Sequence, residues 1–92
     1  MPIVKIKHKG LRELFETGKT ARINKRYHQT CLYIMDFLDN VSDLSQCQGI
    51  QNFHELKGSR KGEYSMQASG NWCVTFEWET PDVIILNFED YH

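Results

Sequence analysis

Long apolar runs are missing from this chain: no stretch approaches the roughly 18 residues that a membrane-spanning helix needs. The opening Met1-Pro2-Ile3-Val4-Lys5 also lacks the extended apolar region of a secretory signal, so a cytoplasmic location is expected. Cysteine is sparse. Cys31, Cys47 and Cys73 are odd in number and widely spaced, and no Cys-x-x-Cys pair exists. That pattern gives a zinc site little support, and the thiols are expected to be reduced and structural. With two prolines and six glycines the chain has no low-complexity tract, linker or internal repeat. Charge of one sign is not in excess either: 11 Lys/Arg face 12 Asp/Glu, for a net −1. Neither disorder nor a uniformly basic surface is therefore implied.

What is present suits one small domain spanning residues 1–92. Apolar residues make up 40% and charged residues 25%, ordinary values for a globular domain. The charges are segregated. Residues 1–28 hold eight Lys/Arg against two acids, residues 57–61 hold Lys57, Arg60 and Lys61 with no acid, and residues 62–92 hold six acids and no Lys/Arg. Segregation of this kind gives a bipolar surface, one pole of which attracts a polyanion; chance clustering on solvated faces would give the same counts.

Ile3, Val4 and Ile6 predict a short first strand. Leu11, Leu14 and Phe15 fall at helical spacing, with Gly18 as the stop. Ile23, Tyr27, Cys31, Ile34, Leu38 and Val41 recur at steps of three and four and predict a second helix with that stripe in the core. Its cations come early (Lys25, Arg26, with His28) and its acids late (Asp36, Asp39), the reverse of what the helix dipole prefers. Residues 42–62 show no period and read as a loop. Tyr64, Met66 and Ala68, then Trp72, Val74, Phe76 and Trp78, alternate with polar residues, and Ser69-Gly70 and Thr80-Pro81-Asp82 turn the chain. Val83 to Phe88 is a well-covered strand. The fold class is α+β: a short N-terminal strand and two N-terminal helices packed on a small antiparallel sheet.

Three segments hold the chemistry. Glu89-Asp90-Tyr91-His92 places carboxylates, a phenol and an imidazole directly after an apolar strand. His54 and Lys57 sit on the predicted loop, where functional groups often lie on a rigid scaffold. Lys57-Gly58-Ser59-Arg60-Lys61-Gly62 packs three cations and two glycines into six residues; glycine lets backbone approach a phosphate and the cations neutralise it. It lacks the spacing of a nucleotide-binding Walker loop. Imidazole, carboxylate and ammonium groups supply the roles needed to cut RNA without a metal: a base for the ribose 2′-hydroxyl, a cation for the phosphate charge and an acid for the leaving oxygen.

These segments resemble the HigB toxins of the RelE/ParE superfamily over essentially the whole chain. Lys7-His8-Lys9-Gly10-Leu11 with Leu14-Phe15-Glu16-Thr17-Gly18 is similar to their opening strand–helix signature. His54-Glu55-Leu56-Lys57-Gly58 followed by Arg60-Lys61-Gly62, Gly70-Asn71-Trp72 before Thr75-Phe76, and the closing Leu86-Asn87-Phe88-Glu89-Asp90-Tyr91-His92 resemble three further family motifs in the same order. The resemblance implies a microbial-RNase-like RelE fold and a toxin that needs no metal or other cofactor. It implies cleavage of mRNA in the decoding site of the 70S ribosome by 2′-hydroxyl attack, which inhibits translation and growth. His54, Asp90 and His92 are then the acid–base candidates, Lys57 the transition-state cation, and Tyr91 the group that orients or stacks on the nucleotide. Asn71 positions the RNA, and Arg60 and Lys61 join it in binding substrate. The implied partner is a helix-turn-helix antitoxin of the HigA type, through which alone operator DNA would be reached.

One departure bears on mechanism: Cys73 stands where the family usually has arginine, and a lost charge-assisted contact to a transition-state phosphate costs about 2–4 kcal/mol. Arg60 or Lys61 would have to substitute, or the toxin is attenuated. A binding module that only sequesters antitoxin is therefore the second reading. A gyrase poison of the ParE kind is the third, disfavoured by the loop histidine and the terminal Asp-Tyr-His.

Overall fold

The computed structural model describes residues 2–90, so Tyr91 and His92 lie outside the described residues. The order is β1 (Ile3–Ile6), α1 (Lys9–Thr17), α2 (His28–Asn40), β2 (His54–Glu55), β3 (Glu63–Ser69), β4 (Trp72–Glu79) and β5 (Asp82–Asp90). The strands form one sheet in the order β1-β5-β4-β3-β2. Strands β2 to β5 pair antiparallel, as the alternation and turns imply. β1 differs: it joins the free edge of β5 in parallel, so the sheet is mixed. Two helices intervene between β1 and the rest, the long connection that a parallel pairing requires. Among the described residues no helix is long and apolar enough to cross a membrane.

α1 begins on His8, whose Nδ1 accepts the Leu11 amide at 3.1 Å, and ends at Gly18, left-handed at φ 85°, whose N–H donates to the Leu14 carbonyl. Burial, then the charge of Arg22, holds the His8 imidazole below its ordinary pKa, which suits a neutral acceptor. The second helix starts later than its stripe suggests. Asn24 accepts the Arg26 amide and opens a 3₁₀ turn over Lys25–Tyr27, and α2 follows from His28. Ile23 still reaches the core from outside the helix. The late acid Asp39 holds two elements together, since its Oδ1 accepts the Ile3 amide at 2.9 Å and ties α2 to β1.

The core fills the space between the helices and one sheet face. Leu11, Leu14, Cys31, Ile34, Met35 and Leu38 meet Met66, Val74, Phe76, Val83 and Ile85, all fully buried. Tyr27, Trp72 and Phe88 close one end of this layer, with the Trp72 and Phe88 rings 5.0 Å apart. The three cysteines are free and buried, and burial pushes the Cys31 thiol up to about 12. Residues 42–62 are more structured than a loop: a capped 3₁₀ turn covers Leu44–Cys47, a second covers Gly58–Arg60, and β2 lies between.

Candidate functional site

The site is built on the sheet face opposite the helices. In antiparallel sheets directly paired residues share a face. One row across that face is therefore His54, Ser65, Thr75 and Asn87, and the next is Gln67, Cys73 and Glu89.

His54 reaches its row through an unusual backbone. Gln51 and Asn52 both adopt positive φ, 49° and 54°, a conformation in which asparagine is tolerated better than most residues. Gln51 is held there at both ends: its carbonyl accepts the Gln67 amide and its Nε2 donates to the Gln67 carbonyl. Phe53 then stacks on Tyr64 at 5.6 Å and on Phe76 at 6.1 Å. His54 is left exposed on β2, its Nδ1 2.9 Å from the Asn52 carbonyl.

Lys57 precedes a turn that needs glycine, since Gly58 has φ 68°. The turn is anchored by buried Leu56, whose amide donates to the Glu63 carbonyl at 2.8 Å, and by Glu55, whose carboxylate accepts the Gly62 amide at 2.9 Å. Lys57 and Lys61 are exposed and, with Glu55, Leu56 and Gly58, line a shallow groove of about 350 Å³. Larger grooves lie on the outer face of α2 and between β1 and α1, away from these residues. A polyanion backbone is gripped by charge at the surface and needs no deep cavity, so the smaller groove is the relevant one.

Arg60 is engaged on both sides. Its Nε and Nη2 donate to Glu63 Oε1 at 3.0 and 2.9 Å, and its Nη1 and Nη2 donate to the two Glu89 oxygens at 2.6 and 2.8 Å. Thr75 Oγ1, fully buried on β4, donates to Glu89 Oε2 at 3.0 Å. The bonds from Arg60 hold the Glu89 carboxyl below the usual range despite burial, and Glu89 in turn raises the Arg60 pKa. One cation thus meets two carboxylates. Glu63 and Thr75 are site residues that the sequence does not single out, and Glu89 stands there only as one carboxylate of the closing segment, with nothing to show that it meets Arg60.

Cys73 pairs with Glu89 across β4 and β5 and is 5% exposed. Burial pushes its thiol pKa up, the nearby Ser65 hydroxyl opposes this, and the carboxylates of Glu89 and Asp90 add to it. The buried Ser65 hydroxyl has no hydrogen-bond partner among the described residues, so its approach to the sulfur is too loose to be a bond. Position 73 therefore contributes a neutral thiol at a place dominated by acids.

Asp90 is exposed and pairs with Trp72, one residue beyond the Cys73–Glu89 pair. Asn71 is exposed in the turn before β4, and its carbonyl lies 3.6 Å from the Cys73 sulfur. Arg60 and Cys73 come together on this face around Glu89, whereas Asp90, paired with Trp72, alternates to the other face at the end of β5, and the turn that carries Lys57 lies at the opposite end, before the start of β3. The chain does not bring His54 and Asp90 together: they stand on β2 and β5, three strand steps or about 14 Å apart across the sheet at ~4.8 Å per step, and Asp90 lies three residues further along β5 than Asn87, the residue in the His54 row. Tyr91 and His92, the other two catalytic candidates, lie outside the described residues. Among those residues no cluster of three or more His, Cys, Asp or Glu is arranged to hold a metal ion.

Comparison with known proteins places this arrangement. Residues 4–92 match the family model of the HigB-like toxin, described as a RelE-like toxin of a type II toxin–antitoxin system. The chain is 39% identical to Endoribonuclease HigB of Proteus vulgaris, over 98% of this chain and 99% of that protein. The fold is shared with a YoeB/ParE toxin from Agrobacterium tumefaciens, at a TM-score of 0.64 and 11% identity, covering 96% of this chain and 99% of that one. It is also shared with a chain of the YoeB–YefM complex from Staphylococcus aureus, at a TM-score of 0.62 and 15% identity, covering 96% and 95%. With a family match over nearly its full length and a relative of this identity, the chain belongs to the HigB-like toxins, the RelE-like toxins of type II toxin–antitoxin systems.

Proposed function

We propose that this chain is an endoribonuclease that cuts mRNA in the decoding site of the 70S ribosome, without a metal, and so stops translation. The observation that carries the reading is the exposed pair of cations, Lys57 and Lys61, held on the rigid turn from which Arg60 reaches over the sheet to Glu89 near the end of β5. Family membership and the 39% identical Endoribonuclease HigB support the chemistry.

A base takes the proton of the ribose 2′-hydroxyl, and the oxygen attacks the adjacent phosphorus. The P–O5′ bond breaks and the departing oxygen receives a proton. One product ends in a 2′,3′-cyclic phosphate and the other in a 5′-hydroxyl. Lys57 stabilises the charge that grows on the phosphate oxygens, the largest single contribution a small site can make. His54, Asp90 and His92 are the proton-transfer groups. In this reading His54 and Asp90 act separately on the bound RNA rather than as one hydrogen-bonded dyad, in keeping with their places on β2 and β5. Tyr91 stacks on or orients the base, and Asn71 and Lys61 hold the strand. The partner is an antitoxin of the helix-turn-helix type, in keeping with the toxin–antitoxin family. The compartment is the cytoplasm, where ribosomes and mRNA are found.

The test is single-turnover cleavage of a defined mRNA on programmed 70S ribosomes, for this chain beside Cys73→Arg. Cleavage by both, unchanged by EDTA under conditions that keep the ribosomes intact, is expected. Cleavage by Cys73→Arg alone would leave the parent chain an antitoxin-binding module with an inherited site.

A further inference from the structure

Arg60 uses its whole fork inside the protein. Four donor contacts run to two carboxylates, at 2.6 to 3.0 Å, and the contact to Glu89 is bidentate, through both terminal nitrogens. A phosphate would have to displace a carboxylate to reach this guanidinium, and the triad of one cation and two anions does not attract it. What the contacts do accomplish is mechanical. Glu63 opens β3 and Glu89 is the second-last residue of β5, so the Arg60 side chain bridges the sheet over β4, the strand between them. Thr75 lies under the bridge and bonds the same Glu89 carboxylate. Lys57 is three residues before Arg60, and Asp90 is one residue after Glu89.

We infer that Arg60 is a positioning residue: its bridge across β4 sets the placement of the Lys57 turn relative to the Asp90 end of β5, and so joins two parts of the site that no backbone pairing connects directly. The small side chain at Cys73 belongs to this arrangement. Cys73 is the residue paired with Glu89, so a long cation at that position would meet the Glu89 carboxylate first and compete with Arg60 for it. Arg60 thus replaces an arginine at position 73 as the counter-charge of Glu89, and does not replace it as a ligand of the scissile phosphate. The inference rests on the nuclease reading for its functional consequence, and on the sheet geometry alone for its structural one.

Single-turnover cleavage on programmed ribosomes separates the roles, with urea unfolding as the check that each variant folds. Arg60→Met and Glu89→Gln should each slow the cleavage step by about tenfold or more, since misplacing a reacting group costs rate. The ribosome concentration at half-maximal rate should stay within about twofold, because positioning acts on the bound state. The double variant should be no slower than the slower single, as two ends of one contact are not additive. Arg60→Lys should recover part of the rate, because an ammonium holds one carboxylate but cannot form the fork. A shift in half-saturation at unchanged cleavage rate, or losses that multiply in the double variant, would make Arg60 an RNA ligand and overturn the inference. If the parent chain cuts nothing, the nuclease reading fails, and amide hydrogen exchange decides the structural claim. Arg60→Met and Glu89→Gln should then speed exchange at Arg60 and Lys61, whose amides bond within the turn, while Val74 and Phe76 stay protected. Unchanged exchange in the turn would refute the bridge.

Discussion

On its helix side the sheet presents Met66, Val74, Phe76, Val83 and Ile85, fully buried beneath α1 and α2. On the other side Ser65, Cys73 and Thr75 are almost equally buried, yet an arginine and two carboxylates lie over this part of the sheet. The first face is stabilised by area and fit, which are non-directional and tolerate no cavity. The second is stabilised by a few charge-assisted bonds whose value depends on direction. The difference teaches where function can be altered without unfolding the chain: the polar face holds little of the stability and most of the geometry on which cleavage depends.

The contrast can be broken at its strongest point first. Phe76→Ala removes a fully buried ring and should cost about 3–5 kcal/mol in urea unfolding, enough to leave a chain of this size marginal. Lys57→Ala, on the polar side, should leave the unfolding midpoint within about 0.5 kcal/mol of the parent. It should nonetheless slow single-turnover cleavage by about 10²–10³. A Lys57→Ala variant that unfolds early, or that cuts at the parental rate, would erase the division between the faces.

Two smaller effects sharpen it. Gly58→Ala meets no atom within 4 Å but must hold φ near 68°, so it should cost about 1–2 kcal/mol, read as a lower unfolding midpoint or faster exchange in the Lys57 turn. His8 belongs to the helix layer and gives that layer a pH dependence. Its folded pKa is lowered, by burial first and then by Arg22, so the unfolded chain binds the proton more readily. The contribution is complete above the ordinary value of 6.5 and is lost as pH falls below it toward the lowered folded value. Urea midpoints between about pH 7.5 and 5.5 should drop for the parent chain and drop less for His8→Ala, which has no such imidazole to protonate. Equal slopes would deny His8 its role as a neutral cap.

The two faces also differ in how much of them the sequence disclosed. Period and alternation reveal the apolar side because each rule is local: the Cys31, Ile34, Leu38 stripe and the Met66, Val74, Phe76 alternation sit where expected. The start of α2 escapes the same rule because Asn24 accepts a backbone amide and opens a 3₁₀ turn inside the stripe. The stretch over residues 42–62 hid β2, which has only two residues and follows two left-handed ones, too short for any pattern. The polar side needs register. Arg60 and Glu89 are 29 residues apart, and no spacing rule joins them. The register shift opposite Thr75 and Phe76 leaves Leu86 unpaired and reverses the alternation in β5. Within a mostly apolar run that shift is invisible, so the sequence could not say which residues share a face with Cys73. Family motifs supplied the names of His54, Lys57, Asn71 and Asp90, but not the separation of His54 from Asp90 or the bridge at Arg60.

The most direct measurement is single-turnover cleavage of a 5′-labelled mRNA on programmed 70S ribosomes by the parent chain beside Lys57→Ala, with the product ends identified. The parent should cleave in the presence of EDTA and leave ends bearing a 2′,3′-cyclic phosphate and a 5′-hydroxyl, and Lys57→Ala should lose about 10²–10³ in rate. A parent that binds ribosomes but yields no such ends, or a Lys57→Ala variant that cuts as fast as the parent, would contradict a metal-free nuclease built on the Lys57 turn.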